Sequence, residues 1–215
     1  MILCHFLGIG SRNAEFRVQI HWTMISICFA TNNKNKLEEV RSKIGHQFTI
    51  LSLEDIGCLE ELPETRPTIE GNSEQKAQYV AQKYKVNCFA DDTGLLVDAL
   101  DGAPGVYSAR YAGPNCLPED NMMKLLSELK GIKNRNASFK TCITLVLNDK
   151  QIQFDGAVSG IILEEKHGEK GFGYDPIFQP NGYTISFAEM NMSEKNTISH
   201  RALAVAKLAA YLKSI

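Results

Sequence analysis

An excess of charge of one sign, a long apolar run and closely paired cysteines are all missing from this 215-residue sequence. The 23 basic and 25 acidic side chains nearly cancel, and no basic run is interleaved with aromatic residues, which argues against a nucleic-acid partner. No apolar segment reaches the length needed to cross a bilayer, which argues against a membrane protein. A small anionic ligand is still allowed, because a few lysines in one cleft do not show in a net charge of −2.

The cysteines are not arranged for disulfides or for zinc. They lie far apart, form no C-x-x-C pair and have no histidine at the spacing of a zinc ligand. A chain of this length with 44% hydrophobic residues can bury a core without disulfides. We therefore expect reduced thiols in a cytoplasmic protein. The six residues are Cys4, Cys28, Cys58, Cys88, Cys116 and Cys142.

The first 23 residues follow no clean period, whereas Met24 directly precedes the first convincing strand. The segment lacks the basic start, the longer apolar core and the cleavage site of a signal peptide. We expect residues 1–23 to be a mis-assigned start or a non-essential leader, and an edge strand at residues 16–20 is the alternative. Residues 24–215 contain no repeat, linker or low-complexity tract, which predicts a single domain.

The periodicity of apolar residues predicts strands and helices that alternate at first, followed by a long β-hairpin. Asn148 and Asp149 lie between two β-rich runs and are typical of a hairpin turn, and Ser199 can cap the last helix. Together these indicate a mixed, twisted α/β sheet flanked by helices, in two lobes with a substrate cleft between them. The predicted strands are residues 25–30, 88–90, 138–147 and 151–159, and the predicted helices are residues 36–44, 73–84, 120–129 and 199–212.

The turn TNNKN, residues 31–35, joins the first strand to the first helix. A helix start after a polar turn presents unpaired N–H groups and the positive end of the helix dipole, which suits a phosphate. Lys34 and Lys36 add positive charge there. No Walker-type G-x-x-x-x-G-K-[ST] is present, so the turn is not an ordinary P-loop. A plain helix-capping turn with solvated lysines is the alternative.

Two adjacent carboxylates, Asp91 and Asp92, follow the apolar run of residues 88–90. Negative charge where a buried strand ends is costly unless a cation or hydrogen-bond donors compensate it. Carboxylates without a nearby histidine or cysteine suit Mg²⁺, and a carboxylate can also orient or deprotonate an attacking water. Glu64 is a further metal ligand only if its loop folds back. The alternative is a β-turn whose carboxylates accept from backbone N–H groups.

Two segments near the C-terminus offer groups for a planar base. In GEKGFGYDPIF, glycines leave the face of Phe172 accessible for stacking, and Asp175 offers acceptors for the base edge. In EKNTISHRALAVAKL, His200 and Arg201 lie at a helix start, with Lys195 just upstream. The alternatives are a tight turn packed on the core and a capped helix with solvated side chains. Because all four segments suit one ligand, they indicate a nucleoside triphosphate site.

The chain also resembles the inosine/xanthosine triphosphate pyrophosphatase family in these segments, namely FATNNKNKLEEV, ADDTGLLVDALDGAPGVYSARYAG, GFGYDPIF and AEMNMSEKNTISHRALA. They occur in the family's order and cover most of the chain from Met24 onward. The resemblance implies Mg²⁺-dependent hydrolysis of ITP, dITP and XTP to the monophosphate and pyrophosphate. It also implies a homodimer of two-lobed α/β subunits.

The resemblance further implies roles for individual residues. Asp92 corresponds to the catalytic carboxylate, which is also linked to the metal, and Glu64 to the metal-binding glutamate. Thr93 corresponds to a substrate contact and Lys195 to a substrate lysine. The other matching positions are Thr31, Asn33 and Lys36 at the triphosphate, Phe172 and Asp175 at the base, and His200 and Arg201 as readers of the purine.

One departure lies in the phosphate loop, where the family usually has Thr-Gly-Asn and this chain has Thr31-Asn32-Asn33. The replacement of glycine predicts a left-handed backbone at Asn32. Three other functions stay open at this point. They are a nucleotide-binding regulator that does not cleave its ligand, a nucleic-acid-binding module, and a phosphohydrolase of other nucleotides, including pyrimidines.

Overall fold

The computed structural model describes residues 25–44, 48–114 and 117–215, so the predictions for residues 1–23 lie outside the described residues. The strands are β1 (Ile25–Phe29), β2 (Phe48–Leu51), β3 (Cys88–Val97), β4 (Pro104–Gly105), β5 (Asn136–Leu147), β6 (Lys150–Ile162) and β7 (Phe178–Pro180). The helices are α1 (Lys34–Ile44), α2 (Ile69–Tyr84), α3 (Pro118–Glu128), α4 (Met192–Ile198) and α5 (His200–Lys213). The strands form one sheet in the order β2-β1-β3-β5-β6-β7, and β4 pairs with β3.

The sheet is mixed. β1 is parallel to β2 and β3, whereas β3, β5, β6 and β7 pair antiparallel in that order. The β5–β6 hairpin closes at Leu147 and Lys150, so its loop is Asn148 and Asp149. Both loop residues have positive φ, 49° and 64°, as a two-residue type I′ turn requires. The predicted hairpin and the mixed α/β class are confirmed, and the division into two lobes stays a prediction.

Helices cover both faces of the sheet because side chains alternate in direction along the central strands. Ile27 and Phe29 of β1 belong to a core with α1 and α5. Cys28 and Ala30, which alternate with them, belong to a second core with α2. A third core, which includes Phe139 of β5, packs under α3. Neighbouring residues of one strand therefore point to different cores on the two faces of the sheet.

β3 is longer than the sequence predicts. It continues from Cys88 through the two carboxylates to Val97, and it pairs with β5 along its whole length. The prediction that the strand ends at Ala90 is therefore wrong, and so is the alternative of a β-turn at Asp91 and Asp92. The strand can continue because lysine and arginine side chains from other elements compensate the charges of Asp91 and Asp92.

The helix starts follow from side-chain caps. α2 begins at Ile69 rather than at residue 73, because the side-chain oxygen of Thr68 accepts a hydrogen bond from the Gly71 N–H at 3.0 Å. Ser199 caps α5 as predicted and accepts from the Ala202 N–H at 3.2 Å. The sequence analysis did not predict α4, which directly precedes that cap. Within the described ranges, no helix is long and apolar enough to cross a membrane.

Candidate active site

A cavity of about 450 Å³ is lined by β3, β5, α4 and the starts of α1 and α5. It brings together predicted site residues from all four segments singled out in the sequence. A cavity of this size with several convergent polar groups is typical of a small-molecule site. Thr31, Glu64 and Asp92 are not among its lining residues. The predicted residues that line it are Asn33, Lys36, Thr93, Phe172, Asp175, Lys195, His200 and Arg201.

The turn before α1 is held by its own side chains. The Thr31 hydroxyl accepts from the Asn33 N–H at 3.2 Å, and the Asn33 side chain accepts from the Lys36 N–H at 3.2 Å. This arrangement needs no left-handed residue, and Asn32 is not among the non-glycine residues with positive φ. The prediction of a left-handed Asn32 is therefore wrong. The capping turn of the alternative is present, but Lys36 is not a solvated lysine, because its ammonium group faces a buried carboxylate.

That carboxylate is Asp91, which is 2% exposed. The Lys36 Nζ lies 3.0 Å from its Oδ1 and 2.9 Å from its Oδ2, and the Arg201 Nε lies 3.4 Å from the same Oδ2. Burial alone would raise the pKa of Asp91, but the charges of Lys36, Arg201 and Lys76 hold it well below its usual range. Burial lowers the pKa of Lys36, and Asp91 opposes that shift. Asp91 therefore forms a buried ion triad with two residues that line the cavity.

Asp92 points to the opposite face of β3 and meets α2. The Lys76 Nζ donates to Asp92 Oδ1 at 3.2 Å and to Glu64 Oε1 at 2.6 Å. The Asn72 side-chain amide lies 3.5 Å from the other Asp92 oxygen, and Arg110 lies 3.5 Å from the other Glu64 oxygen. The loop that carries Glu64 thus folds back, as its proposed role requires, and both carboxylates share one ammonium group.

This second cluster has its own electrostatics. Burial raises the pKa of Asp92, and the neighbouring Glu64 and Asp91 charges add to the shift although Lys76 opposes it. Burial would lower the pKa of Lys76, but the surrounding carboxylates raise it above its usual value. Burial would likewise raise the pKa of Glu64, yet Lys76 and Arg110 lower it. Lys76 therefore remains a cation between two carboxylates.

Phe172 forms an outer wall of the cavity and is 49% exposed. Its backbone N–H donates to Asp175 Oδ2 at 2.8 Å, and the Lys195 ammonium lies 2.5 Å from that same oxygen. The Lys195 Nζ and the Arg201 Cζ lie 5.1 and 5.5 Å from the centre of the Phe172 ring. Gly171 has a φ of +79°, and a Cβ there would lie 2.2 Å from Asp175 Oδ2. The loop therefore presents an accessible ring instead of burying it in the core.

His200 lies deep in the cavity and is 6% exposed. Its imidazole stacks on Phe139 with ring centres 4.7 Å apart and planes 15° apart. Burial lowers its pKa well below the usual value, and Arg201 and Lys195 add to the shift, so the ring is neutral. Its Nδ1 is buried, and no hydrogen-bond partner for it exists among the residues that the structure describes. The alternative in which Lys195, His200 and Arg201 are solvated is wrong, since all three are buried.

Two residues around the site, Lys76 and Phe139, were not predicted, and Asp91 was predicted only as one of two adjacent carboxylates. Lys76 lies four residues before the buried Val80, on the core-facing side of α2. A charged residue on the apolar face of a helix indicates a buried ion pair, so the sequence did contain a sign of its role. Asp91 shares its strand face with Thr93, but this is visible only when the strand is known to continue. Phe139 carries no signal, because it reads as an ordinary core residue of a strand.

Asp92 and Glu64 are the carboxylates to which the sequence assigns Mg²⁺. Among the residues with described positions, no group of three or more histidine, cysteine, aspartate or glutamate side chains is placed to hold a metal ion. Asp92 and Glu64 nevertheless supply two carboxylates bridged by one ammonium group. Mg²⁺ commonly uses one or two carboxylates and takes its other ligands from phosphates and water. The pair therefore fits a magnesium ion that is held together with a phosphorylated ligand.

Comparisons with known proteins show the family to which the chain belongs. A sequence model of the Ham1 family matches residues 27–211. The chain is 56% identical over 184 residues to a dITP/XTP pyrophosphatase of Flavobacterium johnsoniae, which covers 86% of this chain and 96% of that protein. It is 49% identical over 190 residues to a dITP/XTP pyrophosphatase of Porphyromonas gingivalis, which covers 88% and 98%.

The fold gives the same assignment. The solved structure of the Staphylococcus aureus Ham1 protein matches with a TM-score of 0.84 at 37% identity, covering 88% of this chain and 98% of that one. A HAM1 protein from Coxiella burnetii matches with a TM-score of 0.85 at 33% identity, covering 89% and 100%. The family resemblance of the sequence segments is thereby confirmed, and the chain belongs to the Ham1 family.

Proposed function

We propose that this protein hydrolyses inosine, deoxyinosine and xanthosine triphosphates to the monophosphate and pyrophosphate, and so removes them from the nucleotide pool. The observation that carries the proposal is a single cavity that joins Lys36 and Lys195 to an accessible ring, Phe172, and to the buried His200 and Arg201. The names of the relatives from Flavobacterium johnsoniae and Porphyromonas gingivalis support the same activity.

The reaction is a substitution at phosphorus. The oxygen of a water molecule attacks the α-phosphorus, the bond from this phosphorus to the bridging oxygen breaks, and pyrophosphate leaves with the bonding electrons. The protein mainly has to neutralise charge on the phosphate oxygens and position the water. Lys36, Lys195 and the N–H groups at the start of α1 provide the positive potential, with Thr31 and Asn33 shaping the turn. Thr93 contacts the substrate from β3, beside its hydroxyl partner Thr141.

Asp92 does not line the cavity, but it directly precedes Thr93, which does, and we assign it the role of orienting the attacking water and accepting its proton. Its raised pKa supports this role, because a carboxylate with a higher pKa is a better proton acceptor near neutral pH. Lys76 fixes the carboxylate through Oδ1. Glu64 and Asp92 would hold Mg²⁺, and the ion when bound would neutralise charge on the substrate phosphates.

Base selection follows from donors at the purine edge. The Arg201 guanidinium and the His200 ring face a 6-keto oxygen, while the base stacks on Phe172 beside Asp175. The 6-amino group of adenine would leave these buried donors unpaired, which disfavours adenosine triphosphate. Guanine shares the 6-keto oxygen, so its exclusion requires a further element that acts on the 2-amino group.

The organisation of the protein is part of the proposal. Residues 24–215 form one nucleotide pyrophosphatase domain, in two lobes around the cleft, and the active form is a homodimer. The free, buried thiols of Cys28, Cys58, Cys88 and Cys142 support a cytoplasmic location, where thiols stay reduced.

The test is a panel of purine and pyrimidine nucleoside triphosphates, assayed with and without Mg²⁺ for pyrophosphate and for phosphate separately. We expect pyrophosphate from ITP, dITP and XTP, far less from ATP and GTP, and loss of turnover when the metal is chelated. Binding without pyrophosphate release would identify a nucleotide-binding regulator instead. Faster turnover of pyrimidine nucleotides would identify a different phosphohydrolase.

A further inference from the structure

We propose that Asp91 is a positioning residue that couples recognition of the purine base to binding of the phosphates. The inference deepens the proposed function, since it takes Lys36 as a phosphate ligand and Arg201 as a base ligand. Asp91 does not line the cavity and contacts neither part of the nucleotide. It acts through the two cations that it holds.

The geometry of the triad supports this coupling. One carboxylate oxygen, Asp91 Oδ2, lies 2.9 Å from the Lys36 Nζ and 3.4 Å from the Arg201 Nε. These two cations come from the starts of α1 and α5, helices that are far apart in sequence but pack on the same sheet face. Among the described residues, Asp91 is therefore the one carboxylate that contacts both Lys36 at the start of α1 and Arg201 at the start of α5.

Burial strengthens the interactions of the shared oxygen, Asp91 Oδ2, with both cations. Asp91 is 2% exposed and the Arg201 side chain is 6% exposed, so water does little to screen the charges. A nucleotide phosphate that draws Lys36 toward itself removes one of the two cations that contact Asp91. The Asp91 carboxylate then interacts more strongly with the Arg201 guanidinium, in the orientation that meets the base. Occupation of the phosphate subsite should therefore strengthen binding at the base subsite.

A second ion pair in the cavity lacks this arrangement. Asp175 pairs with Lys195 through Oδ2 and accepts from the Phe172 N–H with the same oxygen, so it fixes one cation to one loop. Asp92 also lies outside the triad, because it faces Lys76 on the other side of β3. Asp98, which is exposed directly after β3 and does not line the cavity, therefore supplies the control.

The test measures binding of inosine by calorimetry in the absence and presence of saturating pyrophosphate with Mg²⁺. For the wild-type protein we expect pyrophosphate to raise the inosine affinity at least about five-fold, a typical size for coupling between sites. In Asp91→Asn the ratio of the two affinities should fall to about one, while Asp91→Glu, which keeps the charge, and Asp98→Asn should both retain the enhancement.

Turnover gives a second readout that a merely structural role would not move. Asp91→Asn should lower the ratio of kcat/KM for ITP over ATP about ten-fold, whereas Asp92→Asn should lower kcat for both and keep their ratio. No enhancement in the wild-type protein, or an enhancement that persists in a folded neutral variant, overturns the proposal. Asp91→Ser is the second neutral variant if Asp91→Asn does not fold. Failure of the wild-type protein to release pyrophosphate from ITP would instead overturn the proposed function, and the binding ratio would still decide the role of Asp91.

Discussion

Asp91 and Asp92 are neighbours in sequence, but their carboxylates have different surroundings. Asp91 lies between two cations that line the cavity, and its pKa is lowered. Asp92 lies with Lys76 and Glu64 on the other strand face, and its pKa is raised. Two like groups whose environments move their pKa values apart are suited to different tasks, one to holding cations and one to accepting a proton.

At this scale we predict that Asp92→Asn abolishes most of the ITP turnover and leaves the fold intact. The amide keeps the shape of the side chain, and Lys76 keeps Glu64 as its ion-pair partner, so the protein should stay folded. Loss of a general base typically costs 10²–10⁴-fold in rate, and we expect a fall in kcat of about that size. Steady-state kinetics and thermal melting check this together. An unchanged kcat would remove Asp92 from the mechanism.

His200 predicts a specific pH dependence of stability. Its pKa is lowered in the folded state, so below the unfolded value of 6.5 the unfolded chain binds a proton that the folded chain does not. The contribution of the neutral ring is present above pH 6.5 and is lost as the pH falls below it. Between pH 7.5 and pH 5.5 the free energy of unfolding of the wild-type protein should therefore fall by roughly 1 kcal/mol more than that of His200→Gln.

The measurement is urea unfolding of both proteins at the two pH values. Only the difference between the proteins is used, so the titration of the other histidines cancels. A difference that stays constant between pH 7.5 and 5.5 would contradict a neutral, buried His200.

At the scale of elements, the start of α5 rests directly on β6. A Cβ at Gly156 would lie 2.0 Å from the carbonyl oxygen of His200 and 2.7 Å from the backbone nitrogen of Ala204. Backbone cannot move aside as a flexible side chain can, so this glycine sets how closely the helix approaches the sheet. Because His200 and Arg201 lie at the start of α5, the same contact sets their distance from the sheet.

We therefore predict that Gly156→Ala destabilises the protein by about 3 kcal/mol, in the upper range for overpacking. It should also raise the KM for ITP, because the displaced helix carries the base-edge residues. Ala157→Ser, at the exposed neighbouring position on the same strand, should change both quantities little. Urea unfolding and ITP kinetics of the two variants check this. Equal stability of Gly156→Ala and the wild-type protein would show that the helix does not depend on this contact.

The elements also show what the sequence can and cannot reveal. The β5–β6 hairpin and the Ser199 cap were predictable because both depend on residues close in the chain. The continuation of β3 through Asp91 was not, because its compensating cations lie 55 and 110 residues away. Lys76 was missed for the same reason, since its partners come from a loop and a strand on either side of α2.

At the scale of the whole molecule, the net charge of −2 hides a local concentration of cations. Lys36, Lys195 and Arg201 line one cavity, and buried carboxylates hold them in place. A cavity lined by cations therefore lies in a protein that as a whole is slightly acidic. Four segments that are distant in sequence thus meet at one cavity. If this cavity binds a nucleoside triphosphate as proposed, the bond that breaks is the one between the α-phosphorus and the bridging oxygen.

The most direct test of that claim is hydrolysis of ITP in ¹⁸O-labelled water, with mass spectrometry of both products. Attack at the α-phosphorus places the label in inosine monophosphate and leaves the released pyrophosphate unlabelled. We expect this distribution for the wild-type protein, and we expect Asp92→Asn to incorporate the label as slowly as it turns over ITP. Label in pyrophosphate, or in inorganic phosphate released directly from ITP, would contradict the account.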